Sequence, residues 1–290
     1  MKTIKNIIGI MVCLGMIALT NSCNQSAKKT EDATLDSARI VSINGTITEI
    51  LADLGLEEKI VGVDVASTYP ASIQTKPKIG HNKNISAEGV LALNPTLIIG
   101  TKADLKPETL EQFKQAGIQV LLFEQAYSVE GTKNLIKSVS DSVGLPSKGD
   151  SILVSLNSQL EKVASYASQT PKPKVLFIYA RGTGTMMVGG TGTQVDAMIS
   201  LAGGENVAKD IQDYKPLTAE ALVAYNPDVL LLFDSGLSSL GNAEGLLEVQ
   251  GVKETNAGKN KKIVQMDGQF LTGFSPRLAQ AIEELHKKIH

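Results

Sequence analysis

Tryptophan is absent from the chain, and aromatic residues make up only 4% of its 290 positions. A broad stacking platform for sugars or bases is therefore excluded, although six Tyr and six Phe suffice to line a pocket. A surplus of charge of either sign is also missing. Against 30 Asp and Glu stand 28 Lys and Arg, for a formal net charge of -2, so nothing is available to neutralise a phosphate backbone and nucleic acid is excluded as a partner. Histidine is scarce, with three residues in all, and there is no His-Glu-x-x-His pattern. A lone imidazole outside the C-terminal tail gives too few ligands for a zinc hydrolase and no placed base for a Ser-His-Asp hydrolase. An envelope enzyme is thus a remote alternative. Cysteine occurs twice, as Cys13 and Cys23. No later segment matches the length of the apolar run at residues 7–19, and that run is itself shorter than the roughly 20 residues a membrane-spanning helix needs.

What is present begins with that run. Lys2 and Lys5 precede it, and Thr20-Asn21-Ser22-Cys23 follows it, which is the layout of a secretory signal peptide over residues 1–23. Leu19 near Cys23, with small polar residues between, resembles a bacterial lipoprotein processing site that lacks the usual Ala-Gly before the cysteine. Cys13 would leave with the peptide. The mature chain would then keep one thiol at its terminus and no disulfide, as acylation of Cys23 would explain. The expected location is the cell envelope, periplasmic side, with the membrane reached through a lipid anchor. Residues 24–37, rich in Ser, Lys, Thr, Asp and Asn, read as a solvated tether.

Beyond the tether, apolar strand-like runs at residues 39–43, 59–63, 96–99 and 119–123 alternate with helical segments. A second set lies at 174–179, 228–233 and 262–266. The pattern predicts an α/β fold of two lobes, each with a parallel-type sheet covered by helices. In residues 145–170, Ile152, Leu156, Leu160 and Val163 recur at helical spacing, and Pro171 and Pro173 end the run. One long rigid interdomain helix is expected there, between an N-terminal lobe at 38–144 and a C-terminal lobe at 171–290.

The two lobes share a sequence element. Residues 85–95, Ile-Ser-Ala-Glu-Gly-Val-Leu-Ala-Leu-Asn-Pro, reappear at 217–227 as Leu-Thr-Ala-Glu-Ala-Leu-Val-Ala-Tyr-Asn-Pro. Ser86 and Thr218 are expected N-caps, and Asn-Pro closes each helix before a strand.

At this repeat the chain resembles the cobalamin, siderophore and haem solute-binding proteins of ABC importers, over nearly the whole mature length. Within that clan Gly80-His81-Asn82-Lys83-Asn84-Ile85-Ser86-Ala87-Glu88-Gly89 is most similar to the signature of the periplasmic haem-binding proteins, with His81 where they carry an iron-ligating tyrosine. Imidazole is itself a common axial ligand, and the exchange implies a less strictly ferric preference than phenolate would give. His286 and His290 lie on a charged C-terminal helix and read as solvated. A Gly-rich stretch at 180–193, read as a strand-to-helix loop, resembles the segment that opens the second lobe of the haem proteins. It offers Arg181 to a haem propionate and Met186 for a thioether contact, although Met more often packs. Tyr69, Tyr179 and Tyr214 are candidates for the distal side of the pocket. In the family an acidic residue in the repeated helix of each lobe meets arginines of the transporter, which implies docking to the permease subunits by Glu88 and Glu220. Both would also suit the positive end of a helix dipole. The resemblance implies a monomeric carrier, not an enzyme, with haem as transported ligand, His81 on its iron and no catalytic cofactor. Cobalamin or a ferric siderophore is the alternative cargo.

Overall fold

The computed structural model describes residues 37–81 and 83–290. The signal segment 1–23 with Cys23, the tether as far as residue 36, and Asn82 lie outside the described residues. Residues Arg39–His290 make up one compact unit.

The first sheet has four strands in the order Ile60–Val63, Ile40–Ser42, Leu97–Thr101, Gln119–Phe123, all parallel. Every residue of Ile40–Ser42 and Leu97–Thr101 is buried, the continuous burial of a parallel sheet that is covered on both faces. Helix Gly45–Asp53 starts directly after the first strand because Asn44 caps it, its side chain accepting from the N–H groups of Thr46 and Ile47. Ile43, Ile79, Ile85, Val90, Ile98 and Phe113 belong to the core of this half.

The second sheet runs Tyr214–Pro216, Met186–Gly189, Lys174–Ala180, Val229–Phe233, Ile263–Met266, with Glu205–Asn206 beside the start of Lys174–Ala180. Its three long strands are parallel, but Met186–Gly189 and Tyr214–Pro216 extend it antiparallel. The parallel-type sheets expected are present in both halves, with an antiparallel edge added in the second, whereas the reading of residues 180–193 as one strand-to-helix loop is corrected. Gly182, at φ 67°, lets the chain reverse within five residues, and Arg181 N–H donates to Thr185 O at 2.9 Å. Met186-Met187-Val188 then pairs back on the strand it came from. Only after Gly189 does the chain lead, through the N-cap Thr193, into helix Gln194–Leu201.

The repeated element has the same build in both halves. Ser86 accepts from Gly89 N–H at 3.0 Å and Thr218 from Ala221 N–H at 3.1 Å, opening helices Ala87–Leu91 and Ala219–Tyr225. Asn94 and Asn226 both take left-handed backbone, at φ 47° and 41°. Asn tolerates that conformation better than other side chains, so each turn leads directly into the next strand.

Helix Pro146–Val163 falls between the two sheets in sequence, with Pro at its first turn, where no N–H is needed. Its 18 residues give a rod of about 27 Å. It packs against Val129–Ser142 of the first half and against Leu278–Ile289, the last helix of the second.

Candidate functional site

His81 is placed by backbone geometry that only glycine permits. Gly80–His81 and Asn84–Ile85 form a two-stranded hairpin, and Gly80 sits at φ 117°, where a Cβ would come within 2.3 Å of Asn84 O and 3.0 Å of Ile85 Cα. The segment leading to it runs beside the end of strand Ile60–Val63. Val63 N–H donates to Pro77 O, Ile79 N–H to Val63 O, and Val65 N–H to Gly80 O. These bonds bring His81 next to Asp64, the first residue past the carboxyl end of that strand.

The carboxylate of Asp64 is 4% exposed, and its Oδ2 lies 3.5 Å from His81 Nδ1. Asp64 is fixed in turn, accepting from Ser67 Oγ at 2.5 Å and Ala66 N–H at 3.0 Å. Ser67 Oγ lies 2.8 Å from Thr48 Oγ1, which donates to Ser42 Oγ. The His81 side chain as a whole is 43% exposed, yet its Nδ1 atom is buried. With Nδ1 buried, a metal could be met by this ring only through Nε2. The Asp64 carboxylate beside it raises the imidazole's proton affinity above its ordinary value. Burial opposes this, as does the charge of Arg181, while the charges of Asp64 and Asp104 support it. Asp104 is itself pushed above the usual carboxylate range, first by burial, against the hydrogen bonds it accepts from Thr101 and Asn44.

Arg181 belongs to the second half, and its charge acts on His81 in the first. It is solvent-exposed, with its guanidinium 5.8 Å from the Tyr179 ring centroid. Tyr179 meets Phe233 edge-on at 6.2 Å, Phe233 meets Phe177 at 4.8 Å, and Phe177 meets Tyr214 at 6.4 Å. Tyr179 and Phe233 lie near the carboxyl ends of their strands, where ligands bind in α/β folds. Burial pushes the Tyr214 phenol up to about 12, with Tyr127 and Tyr179 adding to the shift. Tyr127 comes from the first half, just past strand Gln119–Phe123, and is edge-on to Phe274 at 5.7 Å. Aromatic contact thus crosses from one half to the other at Tyr127 and Phe274.

Two candidates are committed elsewhere. Met186 packs against the core of the second half. Tyr69 stacks on the Arg277 guanidinium at 3.8 Å and lines a 390 Å³ cavity with Asp53, Lys148, Gln159 and Gln280, beside the linking helix. Glu88 and Glu220 are exposed in the first turns of their matching helices, and neither enters an ion pair among the described residues. Sequence reasoning missed Asp64, Tyr127 and Phe233. Each lies at or just past the carboxyl end of an apolar strand-like run, the one signal that could have found them.

The pattern that defines the periplasmic binding protein family matches residues 40–270, and the chain belongs to that family. Among solved structures it is similar to the periplasmic heme-binding protein RhuT from Roseiflexus sp. RS-1 in apo form. The two are 41% identical at a TM-score of 0.84, over 87% of this chain and 98% of that one. It is also similar to an uncharacterized ABC transporter substrate-binding lipoprotein of Bacillus subtilis, 29% identical over 266 residues, covering 90% of this chain and 83% of that protein. A cobalamin-binding protein of Halobacterium salinarum is 24% identical over 265 residues, covering 89% of this chain and 71% of that protein.

Proposed function

We propose that this protein is the substrate-binding component of an ABC importer and that its cargo is haem, held between the two halves with His81 Nε2 on the iron. The observation that carries the reading is the orientation of His81. Its Nδ1 is buried beside a fixed carboxylate in a side chain that is 43% exposed as a whole, the arrangement expected of a ligating imidazole. The 41% identity to a periplasmic heme-binding protein supports the choice of cargo. Haem presents two apolar faces and two carboxylates. Tyr179, Phe233, Tyr214 and Tyr127 supply aromatic surface for the faces, and Arg181 supplies a cation for a propionate. No bond in the cargo is made or broken. The protein carries and does not catalyse.

Delivery follows from the same reading. Glu88 and Glu220 present one carboxylate on each half toward the permease, and the protein is held at the periplasmic side of the envelope by acylation of Cys23. The likeness to a lipoprotein of Bacillus subtilis supports the anchor.

The test is an absorption titration of the protein lacking residues 1–23 with haem and, in parallel, with cobalamin. A saturable Soret shift with haem, altered and weakened in His81→Ala, is expected. Saturation by cobalamin with no haem shift would replace the cargo and remove His81 from the mechanism, as the likeness to a cobalamin-binding protein would then have indicated.

A further inference from the structure

The carboxylate behind His81 is a feature that cargo contact alone does not require. Asp64 is 17 residues away from His81 in sequence, nearly buried, and held by Ser67 Oγ and Ala66 N–H, so its free direction is toward Nδ1. The groups that face it are the Lys78 ammonium, which donates to Ser67 O at 3.0 Å, and the Asp104 carboxylate. The cost of burying a carboxylate is met here by two hydrogen bonds and a neighbouring cation.

We propose that Asp64 is a positioning residue for the iron ligand: it holds His81 in the tautomer with the proton on Nδ1, turns Nε2 to the iron, and tunes the bound haem toward the ferric state. This rests on the reading of His81 as ligand. An Nδ1–H directed at a carboxylate gives the imidazole more electron density, which strengthens its bond to iron and favours Fe(III) over Fe(II). The separation of 3.5 Å is an ion-pair distance rather than a short hydrogen bond, so a small turn of the ring closes it when iron fixes Nε2. Exchanging a phenolate for an imidazole gives up ferric preference, and Asp64 returns part of it.

The experiment compares wild type, Asp64→Asn, Ser67→Ala and His81→Ala by haem titration, by spectroelectrochemical reduction of the bound haem, and by the iron–imidazole stretching band of the ferrous form in resonance Raman. Asp64→Asn is expected to keep a His-ligated spectrum with affinity reduced about ten- to hundredfold, a more positive potential and a lower stretching frequency. Ser67→Ala, which loosens the carboxylate but keeps it, should shift both readouts the same way by less. Unchanged potential and stretching frequency in Asp64→Asn, while His81→Ala still abolishes the band, would overturn the role of Asp64 and leave His81 as ligand. If Asp64→Asn does not fold, Ser67→Ala decides, and wild-type values there overturn the proposal. A wild-type spectrum and affinity in His81→Ala would instead overturn the ligand reading, and this inference with it.

Discussion

Arg277 and Glu49 meet across the two halves of the chain in a two-pronged ion pair, Nε to Oε2 at 2.8 Å and Nη2 to Oε1 at 2.6 Å. The Glu49 side chain is 2% exposed and also accepts from Ser275 Oγ. The Arg277 guanidinium also lies over the rings of Tyr69 and Phe270, at 3.8 and 4.7 Å. Beside the pair, Thr46 Oγ1 and Gln125 Nε2 both donate to Gly273 O. Helix Gly45–Asp53 of the first half is therefore fastened to the segment 269–277 of the second by a charged clamp and by backbone. With the linking helix packed on both halves, a wide hinge motion would have to break all of these contacts.

Removing one side of the clamp strands the other. Arg277→Met leaves a buried carboxylate without its partner, a loss of about 3–5 kcal/mol for such pairs. In a domain of this size that lowers the melting temperature on the order of 10 °C. Glu49→Gln should cost less, because the amide still accepts from Ser275. Thermal unfolding followed by circular dichroism checks both variants. A melting temperature within a degree of wild type for Arg277→Met would show that the clamp contributes nothing to holding the halves together.

The clamp also shows where the sequence stops being readable. The repeated helices, their Ser86 and Thr218 caps and the left-handed Asn94 and Asn226 are local, set by a few neighbours, and the pattern alone reveals them. His81 could be proposed from the sequence because its surrounding motif is contiguous. Glu49 and Arg277 stand 228 positions apart, and no local propensity links them. Asp64 and Tyr127 were hidden for the same reason, since their partners lie on other segments. The antiparallel edge was missed on a different ground: the glycines of 180–193 suggest a loop, whereas pairing of Met186–Gly189 with the strand before it outweighs their weak strand propensity.

Tyrosine ionisation gives a pH test of the aromatic array. Burial raises Tyr214 to about 12, and burial together with the hydrogen bond to Asp210 raises Tyr225 to about 12. Both native values lie above the ordinary 10.0, so the folded protein keeps two protons that the unfolded chain releases first. Stability is accordingly expected to fall as pH rises from 10 toward 12. Following the phenolate absorption band, Tyr214 and Tyr225 should titrate late, and Tyr214→Phe should remove one late step. A native phenolate curve unchanged by Tyr214→Phe above pH 10 would mean that Tyr214 is open to water.

The docking role proposed for Glu88 and Glu220 makes a separate demand. Each carboxylate already sits favourably at the positive end of its own helix, an interaction worth less than about 1 kcal/mol at an exposed position. Reversing both to Lys should therefore change the stability of the isolated protein little, and neither side chain is part of the His81 site. Against arginines on a partner the same reversal turns attraction into repulsion. Like charges facing each other across an interface cost several kcal/mol, enough to weaken association by about a hundredfold or more. The double variant is expected to bind haem as wild type does while failing to deliver it, measured as transporter-stimulated ATP hydrolysis and haem uptake in reconstituted vesicles. Single reversals should fall between if each half contributes one contact, as proposed. Wild-type uptake by the double variant would remove both residues from the docking surface and leave dipole stabilisation as the reason for an acid at the same place in each half.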